Sequence, residues 1–70
     1  MNELVLEAME FNIPLTFVVY LNRRLITING HIHYIDPYRM KFRIISLNNE
    51  IQIVHFSKVK AIHKYEKAMD

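Results

Sequence analysis

The pattern of apolar residues changes at Ile13-Pro14, and this change constrains the fold more than any other feature of the chain. Before it, apolar residues recur at helical spacing with glutamates on the other face, which predicts an amphipathic helix over residues 2–12. Asn2 suits the start of this helix, and Asn12 suits its C-terminal cap. Proline disfavours helical geometry at the residue before it, so the helix should stop there. So short a helix is unstable alone in water and must pack on the rest of the chain.

The remaining sequence is rich in β-branched and aromatic residues that alternate with polar ones. Ser57 is expected to cap one helical turn shortly before the C-terminal end of this region. Gly30, the only glycine, is interpreted as a bend or bulge inside one long strand, sharing a face with Ile28, Ile32 and Tyr34. The pattern predicts five strands, at about 15–21, 25–35, 39–46, 50–56 and 59–63. A polar tail over residues 64–70 follows them.

A helix followed by five antiparallel strands with short connections is the plan of an Sm-like or SH3-like barrel. We therefore predict a mainly β (α+β) fold, with an N-terminal helix and a strongly bent five-stranded sheet closed into such a barrel. One domain should span residues 1–70. A chain of this length buries only ~60–65% of its unfolded surface, which leaves a monomer marginally stable. Because the chain has no cysteine, it cannot form a disulfide, and we expect oligomerisation or a partner protein to stabilise the fold instead.

Charge is distributed unevenly along the chain, although the net charge is only +2. Residues 1–10 carry three glutamates and no basic residue, whereas residues 11–65 carry eight Lys or Arg against two acidic residues. Such asymmetry can mark a face that binds an acidic partner, or it can be an ordinary solvated surface. No segment reaches the ~18 apolar residues of a membrane span. Without a secretory signal, a cytoplasmic location away from the membrane is expected.

A basic cluster is the first candidate site. Arg39, Lys41 and Arg43 lie on one face of the predicted third strand, with Tyr38 and His55 as stacking partners. Cations beside aromatic rings can hold phosphates and stack single-stranded bases, so these five residues are candidates for nucleic-acid binding. The alternative is a polar outer face opposite apolar core residues.

Two histidines are the second candidate. His31 and His33 are two residues apart, which places both imidazoles on one face of a strand, where they can chelate a metal if His55 supplies a third ligand. The alternative is that both are polar residues of the outer face. The sequence has no ordered nucleophile, base and acid and no glycine-rich phosphate loop. We therefore predict no catalytic residue, no cofactor and no enzymatic activity.

Surplus apolar residues predict a protein interface. The candidates are Val18, Tyr20, Val54 and Phe56, with Ile45 beside them. A strongly bent sheet that is not fully closed leaves an exposed edge, and Sm-like domains commonly join edge to edge by β-augmentation. A homo-oligomer is therefore one possibility and a different protein partner another.

Two stretches resemble the bacterial RNA chaperone Hfq. They are residues 13–16 (Ile-Pro-Leu-Thr) and 30–36 (Gly-His-Ile-His-Tyr-Ile-Asp), and the resemblance implies an Sm-like fold. The Tyr-Lys-His motif with which Hfq binds uridine is replaced here by residues 55–57 (His-Phe-Ser).

A closer resemblance is to the YolD-like family of Gram-positive bacteria and their phages. It rests on residues 7–12 (Glu-Ala-Met-Glu-Phe-Asn), on residues 30–36, and on Phe56 followed by Val59 and Ile62. The resemblance implies an Sm-like domain that is often encoded beside Y-family DNA polymerases and is proposed as a functional counterpart of the UmuD accessory subunit. UmuD proteins cleave themselves with a Ser/Lys pair, and neither serine of this chain has that motif context.

The function expected from these features is that of a small non-enzymatic protein that binds a protein partner. The resemblance places it in DNA-damage tolerance (the SOS response) with a Y-family DNA polymerase, or in conflict between phage and host. The alternative is an oligomeric Sm-like module that binds RNA or single-stranded nucleic acid.

Overall fold

The computed structural model describes residues 3–67. Its elements, in chain order, are α1 Glu3–Phe11, β1 Leu15–Leu21, β2 Arg24–Asp36, β3 Lys41–Ser46, β4 Ile51–His55, the 3-10 turn η1 Phe56–Lys58, and β5 Val59–Lys64. The predicted mainly β class, with one leading helix and a five-stranded antiparallel sheet, is confirmed. The proposed N-cap Asn2 and residues 68–70 of the predicted tail lie outside the described residues.

Two strands are shorter than predicted. β3 begins at Lys41 rather than residue 39, because Met40 adopts a left-handed conformation (φ 55°) that closes the preceding turn. β4 ends at His55, and the next residue already belongs to η1. The cap of this turn is His55, and its prediction at Ser57 is wrong.

α1 ends as predicted. Asn12 is in the left-handed region (φ 53°), and the N–H of Ile13 donates to the carbonyl of Ala8 at 2.9 Å. This bond across five residues is a Schellman termination, in which Asn is one of the few residues that tolerate the left-handed position. Val5 and Ala8 are buried against the sheet, whereas Met9 is more exposed than its place in the apolar repeat suggests.

The five strands form an open sheet in the order β4-β3-β2-β1-β5. Over residues 3–67 the two outer strands share no ladder, so the predicted closure into a barrel is wrong. The sheet is nevertheless strongly bent. Only the three residues of η1 link β4 to β5, and such a link spans at most about 14 Å. The outer strands of a flat five-stranded sheet would lie about 19 Å apart.

β2 is one long strand that serves two hairpins, as predicted. Its first half pairs with β1 and its second half with β3, and Gly30 belongs to both ladders, opposite Leu15 and Ser46. A β-carbon at Gly30 would meet the carbonyl oxygen of Ile45 and lie 2.8 Å from the α-carbon of Ser46. The backbones of β2 and β3 can approach this closely only because the residue is glycine.

The bulge of β2 lies at His33 rather than at Gly30. The register between β2 and β3 shifts between Ile32 and Tyr34, which inserts one extra residue into β2. Beyond the bulge, Ile35 rather than Tyr34 packs against the core. Tyr34 is 54% exposed, so the prediction that it shares the face of Gly30 is wrong.

The core lies on the inner face of the sheet, which is the face that α1 covers. Phe42 is central to it, with ring centroids 6.0 Å from Phe17 and 4.7 Å from Phe56. Val54 is only 4% exposed, and Phe56 packs inward on the cluster. Val54 therefore belongs to the core and Phe56 is partly buried against it, so the structure places both of these predicted interface residues on the inner side of the sheet. The other buried strand side chains are Leu15, Val19, Ile28 and Ile44.

Asp36 organises the turn between β2 and β3. Its Oδ1 accepts the backbone N–H groups of Tyr38 and Arg39, both at 3.0 Å, and its Oδ2 accepts Nη1 of Arg39 at 3.3 Å. The backbone N–H of Arg39, followed by its guanidinium, holds the pKa of Asp36 below its ordinary value. The turn itself spans residues 37–40.

We expect Gly30→Ala to destabilise the protein by about 2–4 kcal/mol, because the added β-carbon forces β2 away from β3. Urea unfolding followed by circular dichroism measures the change. Thr27→Ala, at an exposed position of the same strand, is the control and should cost less than about 1 kcal/mol. Equal losses in the two variants would contradict the role assigned to Gly30.

We also expect acid to remove the contribution of Asp36 to stability. A carboxyl group with a lowered folded-state pKa stabilises above its unfolded pKa of about 4, and this contribution is lost as the pH falls through the folded-state pKa. Asp36→Asn keeps an oxygen acceptor for the turn but carries no charge. Its urea midpoint should therefore fall less than that of the wild type between about pH 6 and about pH 2.5. Parallel pH profiles would rule out this contribution.

Candidate functional site

The outer face of β2, β3 and β4, opposite the core, carries the candidate site. Directly opposed residues of antiparallel strands project their side chains to the same face. The pairing therefore places three rows of side chains there: His31–Ile45–Ile51, Tyr34–Arg43–Ile53 and Asp36–Lys41–His55.

A groove of about 480 Å³ lies on this face. The bulge contributes to it directly, since His33 and Tyr34 are successive residues that both line the groove. The remaining lining comes from the next strands and the turn: Asp36, Arg39, Lys41, Phe42, Arg43 and Ile53. The groove thus combines cations, an aromatic ring and an exposed isoleucine.

Two cations of the groove form no ion pair within residues 3–67, although Asp36 lies opposite one of them, Lys41. Arg39 pairs with Asp36 at 3.3 Å. Lys41 and Arg43 are exposed, and no carboxylate among residues 3–67 forms an ion pair with either. The groove therefore carries positive charge that is available to an anionic group.

The predicted nucleic-acid residues come together only in part. Arg39, Lys41 and Arg43 line the same groove. Tyr38 is almost fully exposed in the turn and does not line it. The tyrosine of the groove is Tyr34, which sequence reasoning missed because uninterrupted alternation places that residue on the core face.

His55 lies on the outer face opposite Lys41, but its ring is engaged by η1. Its Nδ1 accepts the backbone N–H of Ser57 at 3.2 Å and lies 2.9 Å from Oγ of the same residue. His55 therefore positions the turn that leads to β5, and it borders the groove without lining it.

The predicted metal ligands do not converge. His33 is the bulge residue, and His31 is half-buried opposite Ile45. The suggested third ligand, His55, is two strands away and faces Lys41. In the part of the chain that the structure describes, no three His, Asp or Glu side chains are grouped closely enough to hold a metal ion.

β4 forms one edge of the sheet, and its ladder with β3 can be assigned residue by residue. At one end of the ladder the N–H of Ser46 in β3 donates to the carbonyl of Glu50. At the other end the N–H of Phe56 donates to the carbonyl of Met40, the residue just before β3. Backbone bonding alternates along an antiparallel pair, so Gln52 and Val54 also direct their backbone groups toward β3. Every second residue of β4 is therefore used by the ladder.

The intervening residues Ile51, Ile53 and His55 direct their N–H and C=O groups to the free edge. Ile51 and Ile53 are also 63% and 60% exposed on the outer face. β4 thus presents unpaired backbone and apolar side chains together.

Sequence reasoning chose the wrong phase of this strand, naming Val54 as interface and overlooking the two isoleucines. Because Ile53 and Val54 are both apolar, the sequence does not show which of them faces the core. Gln52, a polar residue on the inner side, makes the alternation harder to recognise. The informative signal is cross-strand: Val54 lies opposite Phe42, whose alternation with Lys41 is unambiguous.

The two edges of the sheet differ in charge. β4 (Ile-Gln-Ile-Val-His) contains no Lys, Arg, Asp or Glu, whereas β5 contains Lys60 and Lys64 and follows directly on Lys58. Lysine at a sheet edge hinders the addition of another strand. β4 is therefore the edge that is open to strand addition.

Ile45 lies on β3 opposite Ile51, and two other predicted interface residues form a separate apolar patch on β1. Val18 is half-buried, and Tyr20 is exposed opposite Leu25, which is 62% exposed. Two strands, β2 and β3, separate this patch from β4.

Comparison with known proteins identifies a family. The family described as YolD-like protein matches residues 1–63, which include α1, β1 to β4 and most of β5. No curated protein and no solved structure matches the chain. Within residues 3–67, no helix has the length and apolar character needed to cross a membrane. On the extent of the family match, the chain belongs to the YolD-like family.

Proposed function

We propose that this protein is a non-enzymatic interaction module that binds a protein partner through β4 and the groove beside it. The observation that carries the proposal is the uncharged free edge of β4, where Ile51 and Ile53 expose most of their side chains. An exposed apolar edge strand is a template for pairing with another chain. Partner recognition by main-chain pairing at such an edge recurs in many binding domains.

The first partner in this proposal is a Y-family DNA polymerase, in cytoplasmic DNA-damage tolerance, and the second is a protein engaged in conflict between phage and host. Membership of the YolD-like family supports this choice, because the family resemblance implies an accessory role beside such polymerases. An accessory role requires a docking surface, and β4 with its groove offers one.

The proposal includes an Sm-like identity for the fold. It is supported by the helix that precedes a bent five-stranded sheet, by the long second strand shared between two hairpins, and by the 3-10 turn before the last strand.

We expect the double variant Ile51→Lys/Ile53→Lys to lose partner binding, because lysines at an edge block strand addition. The test is co-expression of the tagged protein with the Y-family polymerase of the same genome, nuclease treatment, and quantitation of the co-purified polymerase. Both substitutions are at exposed positions, and circular dichroism verifies the fold.

Leu25→Lys is the matched control, since Leu25 is as exposed as Ile53 but lies on the β1–β2 side. It should retain the polymerase. Loss of binding in Leu25→Lys, with retention in the double variant, would move the docking surface to Val18 and Tyr20 and contradict the proposal.

Binding of RNA or single-stranded DNA is the second candidate function. The observation that favours it is the groove, in which Lys41 and Arg43 have no ion-pair partner among the described residues and lie close to Tyr34. Cations that hold phosphates beside a ring that stacks on bases are the two components of single-strand recognition.

For this candidate we expect fluorescence anisotropy to show low-salt binding of a labelled oligonucleotide, which Lys41→Gln/Arg43→Gln weakens. With two phosphate contacts, the logarithm of affinity should fall with the logarithm of salt at a slope of about −1.4. Lys58→Gln/Lys60→Gln makes the same charge change in η1 and β5 and should bind more tightly than the groove variant. Equal binding by both variants would exclude the groove as the nucleic-acid site.

A further inference from the structure

We infer that the partner contributes an extended acidic segment, which adds to β4 as a sixth strand and pairs its carboxylates with Lys41 and Arg43. This inference deepens the proposed function and rests on it. It specifies the conformation, the approximate length and the charge of what binds.

The free edge of β4 determines the conformation of the occupant. Unpaired backbone groups recur at Ile51, Ile53 and His55, which are every second residue. Another extended strand presents groups at the same spacing, whereas a helix satisfies its backbone internally. The five residues of β4 span about 17 Å, so a segment of roughly five or six residues completes the pairing.

The pairing within the sheet determines which side chains of the added strand reach the groove. Alternate side chains of that strand lie on the outer face beside Ile51 and Ile53. Arg43 lies directly opposite Ile53, and Lys41 opposite His55, one strand further from the edge. The added strand and β3 are therefore about 9.5 Å apart. A glutamate side chain and a long basic side chain together bridge that gap.

The charge of the outer face favours acidic side chains at those positions. Asp36 is already engaged by Arg39, and in the described part of the chain Lys41 and Arg43 form no ion pair. Carboxylates at alternate positions of the added strand complement both cations, whereas a basic strand is repelled. The groove of about 480 Å³ has space for such side chains.

A second copy of this chain fits the same edge less well. In a pair of two β4 strands the added strand carries no Asp or Glu, so it offers no carboxylate to Lys41 and Arg43. Pairing of β4 with the β5 of another copy adds a strand that contains Lys60 and Lys64 and no Asp or Glu, so it also offers no carboxylate. An acidic segment of a different protein is therefore the occupant that charge complementarity selects.

Peptide selection tests this inference even while the natural partner is unidentified. The immobilised wild-type protein selects from a library of displayed random dodecapeptides, and Ile51→Lys/Ile53→Lys serves as the counter-selection. We expect the enriched peptides to alternate apolar with acidic residues. Enrichment with no excess of Asp or Glu, or no enrichment over the counter-selection, would overturn the inference.

Charge reversal then tests the ion pairs. A synthetic peptide of the most enriched sequence should bind Lys41→Glu/Arg43→Glu at least about tenfold more weakly than the wild type, measured by fluorescence anisotropy. The same peptide with Lys in place of its acidic residues should prefer the variant. Lys58→Glu/Lys60→Glu carries the same charge change in η1 and β5 and should stay within about threefold of the wild type. If both variants lost the same amount of affinity for the peptide, net charge alone would explain the effect. That result would overturn the contacts assigned to Lys41 and Arg43.

Amide hydrogen exchange reads the backbone pairing directly. In the free protein, the amides of Ile51, Ile53 and His55 should exchange faster than those of Gln52 and Val54. The enriched peptide should slow the first three at least about tenfold, because it supplies their missing acceptors. Protection at β5, or no protection at β4, would contradict strand addition at this edge.

The outcomes separate this inference from the proposed function. If polymerase capture depends on Ile51 and Ile53 but the selected peptides lack acidic residues, the inference is overturned and the proposed function stands. A dimer in light scattering that Ile53→Lys dissolves, with no peptide binding, assigns the edge to a second copy and also overturns the inference. Polymerase capture that is lost only in Leu25→Lys overturns both.

Discussion

The close approach of β2 and β3 at Gly30 is the constraint on which the rest of the sheet depends. Gly30 belongs to both ladders of β2, so the two hairpins are joined at a residue whose β-carbon would meet the backbone of Ile45. Because one strand serves both hairpins, the sheet extends on both sides of that point. The outer-face rows and the free edge of β4 are all built on the β2–β3 pairing that Gly30 permits.

The bulge at His33 connects this backbone constraint to the candidate site. By inserting one residue it transfers Tyr34 from the core side to the outer face, and it lets Ile35 take the place of Tyr34 against the core. Burial is therefore preserved while the outer face gains a ring beside Arg43. Bulges commonly redirect side chains near binding sites in this way, and here the redirected residues line the groove.

Most features that local sequence determines were predicted correctly, whereas several that depend on strand pairing were not. Asn12 and Pro14 mark the end of α1 through their own backbone preferences, and alternation locates all five strands. The bulge at His33 becomes evident only from the register with β3, and the phase of β4 only from the contact of Val54 with Phe42. The open sheet becomes evident only from the strand order, in which β4 and β5 are the two outer strands. The basic residues of the groove were predicted, whereas Tyr34 and the two isoleucines of β4 required the fold.

The unequal edges link partner binding to the stability of the domain. A 70-residue chain has a small core and is marginally stable, so it gains from any apolar surface that a partner covers. Ile51 and Ile53 leave most of their side chains in water, and burying such side chains is worth about 1 kcal/mol or more each. A strand that docks on folded β4 has no equivalent site on the unfolded chain, so under the proposed function its binding free energy adds to the folding free energy by mass action. The exposed edge is then the surface through which the domain gains stability from its partner, while the lysines of β5 restrict that gain to one side of the sheet.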